Sequence, residues 1–163
     1  MKLGGKLAVP VLLLLVGWAV LRAQDIASQL AQGAGDEASA SSIRVDVDGV
    51  YDGDTFYVSF PDHGPYAGQR KVRVRPNGFD TAERKNPKCQ YEAQLAMRQR
   101  QALMDILGDA VVLELTGVDR YQRPLAWVYT TDGRSVSELM IKQHGARPYN
   151  GGKRKSWCED QPG

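Results

Sequence analysis

The spacing of apolar residues along the chain predicts five strands. From Ile43 to Asp48 apolar and polar residues alternate, so one face of this segment is expected to be buried and the other to meet solvent. Four further short segments have the composition of strands, and they lie at residues 55–60, 70–75, 111–115 and 125–129. Asp52-Gly53 favours a tight turn, so the first two strands are expected to form a hairpin.

Two longer segments show helical spacing. Residues 90–107 contain no helix breaker, and their apolar side chains recur at helical intervals. Ser135 with Glu138 resembles a capping box, and the helix that it begins is expected to end before Gly145. The order of three strands, a helix, two strands and a helix predicts an α+β domain at residues 43–150. We expect a closed five-stranded barrel of the OB type with one main helix and a shorter C-terminal helix.

The N-terminal residues are expected to lie outside this barrel. Residues 7–21 are apolar or small throughout and carry basic residues on both sides, which predicts a signal peptide or an N-terminal membrane anchor at residues 1–23. A retained anchor is favoured because the small-x-small pattern of a cleavage site is poor near its end. The Ala, Gln, Ser and Gly content of residues 24–42 predicts a flexible linker. The domain is therefore expected in the cell envelope, periplasmic or extracellular, held to the membrane or released by cleavage.

The distribution of charge is more informative than its total. The formal net charge is +2, but without the three basic residues of the first 23, 18 basic residues remain against 19 acidic ones. Net charge therefore does not favour a nucleic-acid partner. Five aspartates and no Lys or Arg fall between Val45 and Gln69, whereas nine basic residues face three acidic ones from Arg70 to Arg100. This pattern suits a metal beside a phosphate channel, and it suits equally a solvated surface of mixed charge.

The acidic residues of the hairpin are candidate metal ligands. Asp52 and Asp54 lie two residues apart, so both can project to one side, and Gly53 leaves the backbone room to turn. With Asp80 and the carbonyl group of Thr81 they could supply the oxygen shell that Ca²⁺ prefers. Without those partners the pair would be an ordinary hairpin turn. A calmodulin-type loop and a zinc site are both disfavoured, because the required Gly, Glu, His and Cys spacings are missing.

Three motifs in this order resemble the thermonuclease family of staphylococcal-nuclease-like proteins. The motifs are Asp52-Gly53-Asp54-Thr55-Phe56, then Arg75 with Asp80-Thr81-x-Glu83, then Asp119-Arg120-Tyr121-x-Arg123-x-Leu125-Ala126. The resemblance extends over about residues 43–149. It implies a bacterial exported or membrane-anchored endonuclease with an OB-fold barrel. Such an enzyme would use Ca²⁺ and water to hydrolyse phosphodiester bonds of DNA and RNA, leaving 3′-phosphate ends.

The resemblance also implies roles for single residues. Glu83 would position or deprotonate the attacking water, and Arg75 and Arg123 would bind phosphate oxygens through their planar forks. Arg73 lies on the same side of its strand as Arg75 and is the alternative to it. Arg75 is preferred because its distance along the chain from Asp80 matches the family's pattern.

Three residues depart from that pattern. Pro76 stands where an aliphatic residue is usual, and with Asn77-Gly78 it is expected to end the third strand. Ala82 replaces a proline, and Gln122 replaces a glycine. If the turn at Gln122 requires a positive φ, glutamine costs on the order of 1 kcal/mol there.

The two cysteines are expected to form one disulfide. Cys89 precedes the main helix and Cys158 lies in a basic C-terminal tail at residues 151–163. An exported chain with two cysteines favours a disulfide over two free thiols. The bond would pin the basic residues 153–155 near the substrate groove, unless those residues only keep the tail soluble.

Nucleic acid and the membrane are the expected partners of a monomer. Tyr121 and Tyr149 could stack on bases, although tyrosines of such barrels more often belong to the core or the rim. Two alternatives to a nuclease stay open: a barrel that binds nucleic acid or another polymer without catalysis, and an export accessory protein with a vestigial site. The retained carboxylates argue against pure binding, since without a metal they would repel phosphates.

Overall fold

The structure, a computed structural model, describes residues 42–160. The predicted signal peptide or anchor at residues 1–23 and the linker up to residue 41 lie outside the described residues. Neither α-helix between residues 42 and 160 is both long and apolar enough to cross a membrane. The strands are β1 (Ser42–Asp52), β2 (Thr55–Ser59), β3 (Val72–Pro76), β4 (Gly78–Asp80), β5 (Ala110–Val118), β6 (Pro124–Thr130) and β7 (Arg147–Tyr149). The helices are α1 (Gln90–Leu107), α2 (Val136–His144) and a 3₁₀ helix (Cys158–Asp160).

Five of the strands form a closed barrel in the order β1-β2-β3-β6-β5. All neighbours are antiparallel except β3 and β6, which run parallel. β1 closes the barrel because its first half pairs with β5 and its second half pairs with β2, with a register shift between Val47 and Gly49. Ser42, which composition assigned to the linker, already pairs with Glu114 of β5. The predicted α+β fold with an OB-type barrel is confirmed.

The barrel and both helices share one apolar core. Alternate residues of the strands point inward, and α1 adds Ala102, Leu103 and Leu107 to the same cluster. Burying each large apolar side chain stabilises the fold by roughly 1.5–3 kcal/mol relative to leaving it exposed. The barrel side chains that are fully buried include Phe56, Val58, Val74, Val111 and Leu113. This packing makes the barrel a rigid support for the turns at its rim.

Both predicted helices are confirmed. α1 spans the segment without helix breakers and ends at Leu107, with Gly108 as its C-terminal cap. α2 begins after Ser135, whose Oγ accepts a hydrogen bond from the Glu138 backbone N–H at 3.4 Å, as the capping box predicts. Gly145 ends α2 in the left-handed conformation, with φ of 66°.

Two short strands were not predicted, and the third strand, predicted at residues 70–75, begins two residues later and ends one residue later. It cannot begin at Arg70, because Lys71 has a positive φ of 53°. β4 pairs with β7 over three residues each, which is too short for a period to appear in the sequence. Pro76 belongs to β3 and pairs with Ala126. A proline is tolerated there because, at the end of a strand, only one N–H donor is missing from the sheet. The Asn77 N–H donates to the Ala126 carbonyl at 2.8 Å and continues the ladder. The β4–β7 pairing joins the segment of Asp80 to that of Tyr149.

The predicted disulfide between Cys89 and Cys158 is confirmed, with a Cα–Cα distance of 5.9 Å. The cysteines are 69 residues apart, and closing a loop of that length stabilises the fold by about 4 kcal/mol on the chain-entropy model. Trp157, next to Cys158, is buried against Ala82, Leu95 and Ala96. The C-terminal segment, defined as residues 151–160, is therefore packed onto the domain.

Candidate active site

The predicted site residues converge on one cleft of about 970 Å³ at the rim of the barrel. Its walls come from the β1–β2 turn, the end of β3, the segment after β4, the β5–β6 loop and the start of the C-terminal segment. The predicted residues that line it are Asp52, Asp54, Arg75, Thr81, Glu83, Tyr121, Arg123 and Tyr149. Asp80 is buried and contacts Arg75 from beneath this surface. Arg73 is exposed and does not line the cleft.

Gly53 allows the β1–β2 turn to approach the segment after β4. A Cβ atom at this position would lie 2.7 Å from Thr81 Oγ1 and 2.8 Å from Thr81 Cβ. Such distances are closer than packed atoms tolerate, so a side chain here would push the turn away from Thr81. The glycine therefore serves the close contact between two walls of the site, in addition to the turn itself.

Arg75 joins two buried carboxylates. Its Nη1 forms an ion pair with Asp54 Oδ1, and its Nη2 lies 3.5 Å from Asp80 Oδ1. The guanidinium also donates to the carbonyl groups of Asp54 and Phe79, each at 3.4 Å. Burial alone would raise the pKa of Asp54, but the charge and hydrogen bond of Arg75 outweigh it and lower the pKa. One positive charge thus holds two acidic groups at the mouth of the barrel.

A hydrogen-bond chain links the two predicted phosphate-binding arginines. Thr55 is buried, and its Oγ1 donates to Asp54 Oδ1 at 3.3 Å. The same oxygen accepts a hydrogen bond from Arg123 Nη1 at 3.1 Å. Arg75, Asp54, Thr55 and Arg123 therefore form one network, and the orientation of each arginine depends on the other.

Asp119 holds Arg123 from the opposite side. Its Oδ2 lies 2.7 Å from both Arg123 Nε and Nη2. Its Oδ1 accepts the backbone N–H groups of Tyr121 at 2.8 Å and Arg123 at 2.9 Å. Burial would raise the pKa of Asp119, but these hydrogen bonds outweigh it and lower the pKa. Asp119 was recognised as part of a motif, yet its role as the residue that orients Arg123 was not predicted.

The turn before Arg123 requires a positive φ. Gln122 has φ of 60°, a conformation that glycine adopts freely. The condition for strain at this departure is therefore met, and such a φ costs a residue other than glycine roughly 1 kcal/mol. Arg123 nevertheless keeps its contacts with Asp119 and Thr55.

The carboxylates Asp52 and Asp80 differ in their surroundings. Burial, reinforced by the negative charge of Asp54, raises the pKa of Asp52 to about 6. Burial also raises the pKa of Asp80, although Arg154 and Arg75 attract its charge. Asp80 Oδ1 lies at ion-pair distance from both arginines, 3.0 Å from Arg154 Nε, but neither contact has the alignment of a hydrogen bond. A buried carboxylate oxygen without a hydrogen bond is a candidate cation ligand.

The predicted calcium ligands are suited to the ion by type but do not form a ready-made cage. Asp52, Asp54, Asp80 and Thr81 carry the oxygen donors that a hard cation prefers. Between residues 42 and 160, however, no three or more His, Cys, Asp and Glu side chains are arranged as a metal site. Arg75 pairs with both Asp54 and Asp80. The metal roles of these four residues stay a prediction.

Gln99 holds the backbone at Ala82, the residue before Glu83. The Ala82 N–H donates to the buried Gln99 Oε1 at 2.8 Å, a bond that the proline usual at this position could not make. Gln99 is fully buried and also donates to the His144 carbonyl at 3.3 Å. The departure at Ala82 therefore has a compensating contact. Glu83 follows directly, with about half of its side chain exposed beside the cleft.

A scan of family models matches residues 73–161 to the family described as staphylococcal nuclease homologue. The chain belongs to the staphylococcal nuclease family. The match covers more than half of the chain and includes Arg75, Glu83 and Arg123. Asp52 and Asp54 precede the matched residues, and the pairing of β1 with β2 and of β2 with β3 brings them to the site. No curated protein matches the chain.

The two tyrosines predicted to stack on bases, Tyr121 and Tyr149, differ in their contacts with the rest of the protein. In this member of the staphylococcal nuclease family Tyr121 is exposed, with the guanidinium carbons of Arg120 and Arg123 at 4.8 and 5.6 Å from its ring centroid. Tyr149 Oη donates to the Gly152 carbonyl at 2.9 Å, so it also supports the C-terminal segment. Both lie on the rim of the cleft, and their role in stacking stays a prediction.

Arg154 was not predicted as a site residue of this staphylococcal nuclease family member. Its Nη1 forms an ion pair with Glu83 Oε1, across 71 residues of sequence. The sequence indicated only that the tail lies near the groove, because residues 153–155 are basic and a disulfide was expected at Cys158. Which of the three side chains enters the cleft depends on the path of the backbone, and no local pattern reveals it.

Proposed function

We propose that this protein is a Ca²⁺-dependent nuclease that hydrolyses phosphodiester bonds of DNA and RNA. Membership of the staphylococcal nuclease family supports a nuclease-type hydrolase and a nucleic-acid partner. Three motifs that lie far apart in the sequence converge on one cleft, and this convergence is the main support for the proposal. They bring a carboxylate, two arginines and a group of acidic oxygens to one surface, which is the combination that phosphodiester hydrolysis needs.

Arg75 and Arg123 would bind the phosphate. Arginine presents planar, bidentate donors that suit phosphate oxygens, and it keeps its charge at any physiological pH. Each guanidinium is oriented in advance by a carboxylate, Arg75 by Asp54 and Arg123 by Asp119. Donors that are already oriented stabilise the charge that develops on the phosphate without having to reorganise.

Glu83 would act on the water. Its carboxylate lies beside the cleft and is accessible to solvent, so a water molecule can reach it. A carboxylate in this position can accept a proton from the water that attacks phosphorus, while the P–O bond to the leaving sugar oxygen breaks and that oxygen takes up a proton from solvent. Gln99 supports this role indirectly, because its bond to the Ala82 N–H fixes the backbone next to Glu83.

Asp54 and Asp80, with Asp52 and Thr81, would hold the calcium ion. When bound, Ca²⁺ would supply positive charge that polarises a phosphoryl oxygen. The buried Asp80 carboxylate offers oxygen of the type that a hard cation prefers, and in this structure the guanidinium groups of Arg75 and Arg154 lie beside it. Asp52 and Asp54 add further carboxylate oxygens at the same end of the cleft.

Calcium dependence is the first test of this proposal. Purified full-length protein is expected to degrade single-stranded DNA and RNA when Ca²⁺ is present, to stop when excess chelator is added, and to recover when Ca²⁺ is restored. Equal activity in excess chelator would contradict the metal assignment. A single-turnover assay with excess protein distinguishes the alternative function: tight binding without any product would indicate a nucleic-acid binding module with a vestigial site.

We also propose that the protein acts outside the cytoplasm. The apolar residues 7–21 and the disulfide support this location, since oxidising compartments preserve such bonds. N-terminal sequencing of the mature protein tests the proposal. A start at Met1 with sedimentation among membranes is expected for a retained anchor, and a start near Asp25 in a soluble fraction for a cleaved signal. Recovery of the uncleaved chain from the cytoplasm with both cysteines reduced would contradict export.

A further inference from the structure

The C-terminal segment places a third arginine among the acidic groups of the cleft. Arg154 Nε lies 3.0 Å from Asp80 Oδ1, and its Nη1 pairs with Glu83 Oε1. The ring of Tyr149 lies beside the same guanidinium, with its centroid 5.7 Å from the guanidinium carbon. About 39% of the side chain is exposed, compared with 20% for Arg123 and 9% for Arg75. The side chain of Arg154 is therefore the most exposed of these three arginines of the cleft.

Contacts on both sides of Arg154 hold the segment in place. Before it, Tyr149 Oη donates to the Gly152 carbonyl at 2.9 Å. After it, Arg147 donates to the carbonyl groups of Lys155 at 3.1 Å and Ser156 at 3.0 Å.

Trp157 anchors the same segment further along the chain. It is 4% exposed, and the guanidinium of Arg147 lies 3.8 Å from its ring centroid. Cys158 then ties the segment to the residue before α1. The position of Arg154 is thus determined by packing and by a covalent bond.

The charge balance of the cleft depends on Arg154. The basic residues that line the cleft are Arg75, Arg120, Arg123 and Arg154, and the acidic ones are Asp52, Asp54, Glu83 and Asp119. Asp80 adds a fifth carboxylate beneath them. Without Arg154 three positive groups would face five negative ones, and a phosphodiester would meet a more repulsive site.

We propose that Arg154 is a third phosphate-binding arginine of this site, beside Arg75 and Arg123, and that the Cys89–Cys158 bond holds the segment that supplies it. The inference rests on the proposed nuclease function. In the absence of substrate the guanidinium is held by Asp80 and Glu83. In the complex the exposed part of this guanidinium contacts a phosphate of the bound strand. Because the chemistry recognised is the phosphodiester, DNA and RNA are equally suitable ligands.

Replacing Arg154 by alanine tests the proposal in full-length protein. We expect kcat/KM for single-stranded DNA to fall by ~10²-fold, as for loss of one donor that faces the reacting charge. Arg154→Lys, which keeps the charge and loses the fork, should recover only part of this loss. The matched control is Lys153→Ala, which removes an exposed cation of the same segment and should change kcat/KM by less than twofold.

A binding measurement separates failure of this inference from failure of the nuclease proposal. Fluorescence anisotropy with a labelled single-stranded oligonucleotide gives the dissociation constant over a range of salt concentrations. Affinity falls as salt rises, and loss of one phosphate contact should make the plot of log affinity against log salt less steep by about 0.7 for Arg154→Ala. The steepness should stay unchanged for Lys153→Ala. If wild type binds without cleaving, the nuclease proposal fails and the slopes still test Arg154. The inference would be overturned if Arg154→Ala and wild type had equal slopes and equal kcat/KM. It would also be overturned if Arg154→Ala were more active than wild type, which would indicate that Arg154 inhibits the enzyme.

The disulfide is tested through its coupling to Arg154. Replacing both cysteines by serine should lower kcat/KM, measured at a temperature where circular dichroism shows the variant to be folded. Adding Arg154→Ala to that variant should then change kcat/KM by less than twofold, because a released segment no longer delivers the guanidinium. A full additional ~10²-fold loss would show that the disulfide does not hold Arg154 in the site.

Discussion

Replacing Glu83 by glutamine is expected to reduce the rate of DNA cleavage by ~10²-fold or more while Ca²⁺-dependent binding of DNA is retained. Glutamine has the same shape but cannot accept a proton from water. The proposed metal ligands Asp54 and Asp80 are unchanged in this variant. Single-turnover cleavage and anisotropy with the same oligonucleotide measure the two quantities separately. A loss confined to binding, with the chemical step unchanged, would contradict the role of Glu83 as a base.

Glu138→Gln is the matched control for this experiment. Glu138 is exposed and forms an ion pair with Lys142 at 2.7 Å, just as Glu83 is partly exposed and pairs with Arg154. It lies on α2 and does not line the cleft. Water and salt screen an exposed ion pair, so its loss has little effect on stability and both variants should unfold at nearly the same temperature as wild type. Only Glu83→Gln should lose activity.

Loss of Arg75 or Arg123 is expected to weaken phosphate binding and slow the chemical step together. Each arginine is proposed to hold charge in the ground state and in the transition state, so kcat should fall and KM should rise. For Arg123→Ala we expect a loss of ~10²–10³-fold in kcat/KM. Steady-state kinetics with single-stranded DNA over a range of substrate concentrations measures both parameters.

Arg75 needs a more conservative substitution because it also supports the fold. Alanine would leave Asp54 and Asp80 buried without their shared partner, and breaking a buried pair typically costs about 3–5 kcal/mol of stability. Arg75→Lys keeps a positive charge beside Asp54 and should remain folded. It should still lose activity, since an ammonium group cannot replace a bidentate fork. Thermal unfolding of the variant identifies any residual effect on the fold.

Arg73→Ala is the control for both arginines. Arg73 is exposed on the same strand as Arg75 and lies 6.0 Å from the Tyr51 ring centroid, outside the cleft. Its loss should alter little beyond the salt sensitivity of binding. If Arg73→Ala abolished cleavage while Arg75→Lys cleaved like wild type, the assignment of Arg75 would be wrong. If the Glu83, Arg75 and Arg123 variants all cleaved like wild type, the proposed mechanism would not operate.

Local patterns were sufficient for most of the fold. Alternation of apolar residues identified β1, and the absence of helix breakers identified α1, because both signals repeat over many residues. They were insufficient for β4 and β7, whose three residues each are held by long-range pairing. The prediction that Pro76 ends the third strand was also wrong. The energetic cost of its missing N–H depends on which group lies opposite it in the sheet, and the sequence does not show this.

The residues that orient the site could not be predicted from local sequence patterns. Gln99 supports the backbone before Glu83, and Asp119 and Thr55 orient Arg123. None of these roles has a sequence signal of its own, because a buried polar side chain is recognisable only when its partner is known.

The sequence by itself determined the five-stranded barrel with its helices, the cysteine pair and the residues that carry candidate chemistry. The strands and helices depend on periodicity and turn-forming residues, which are local, and the cysteine pair and the candidate residues can be read from the residue types and from the spacing within each motif. Only the tertiary structure decided that Arg75 joins Asp54 to Asp80, and that Arg154 reaches Glu83 across 71 residues. Such contacts depend on how distant segments pack together, and packing is a property of the whole chain rather than of any one stretch.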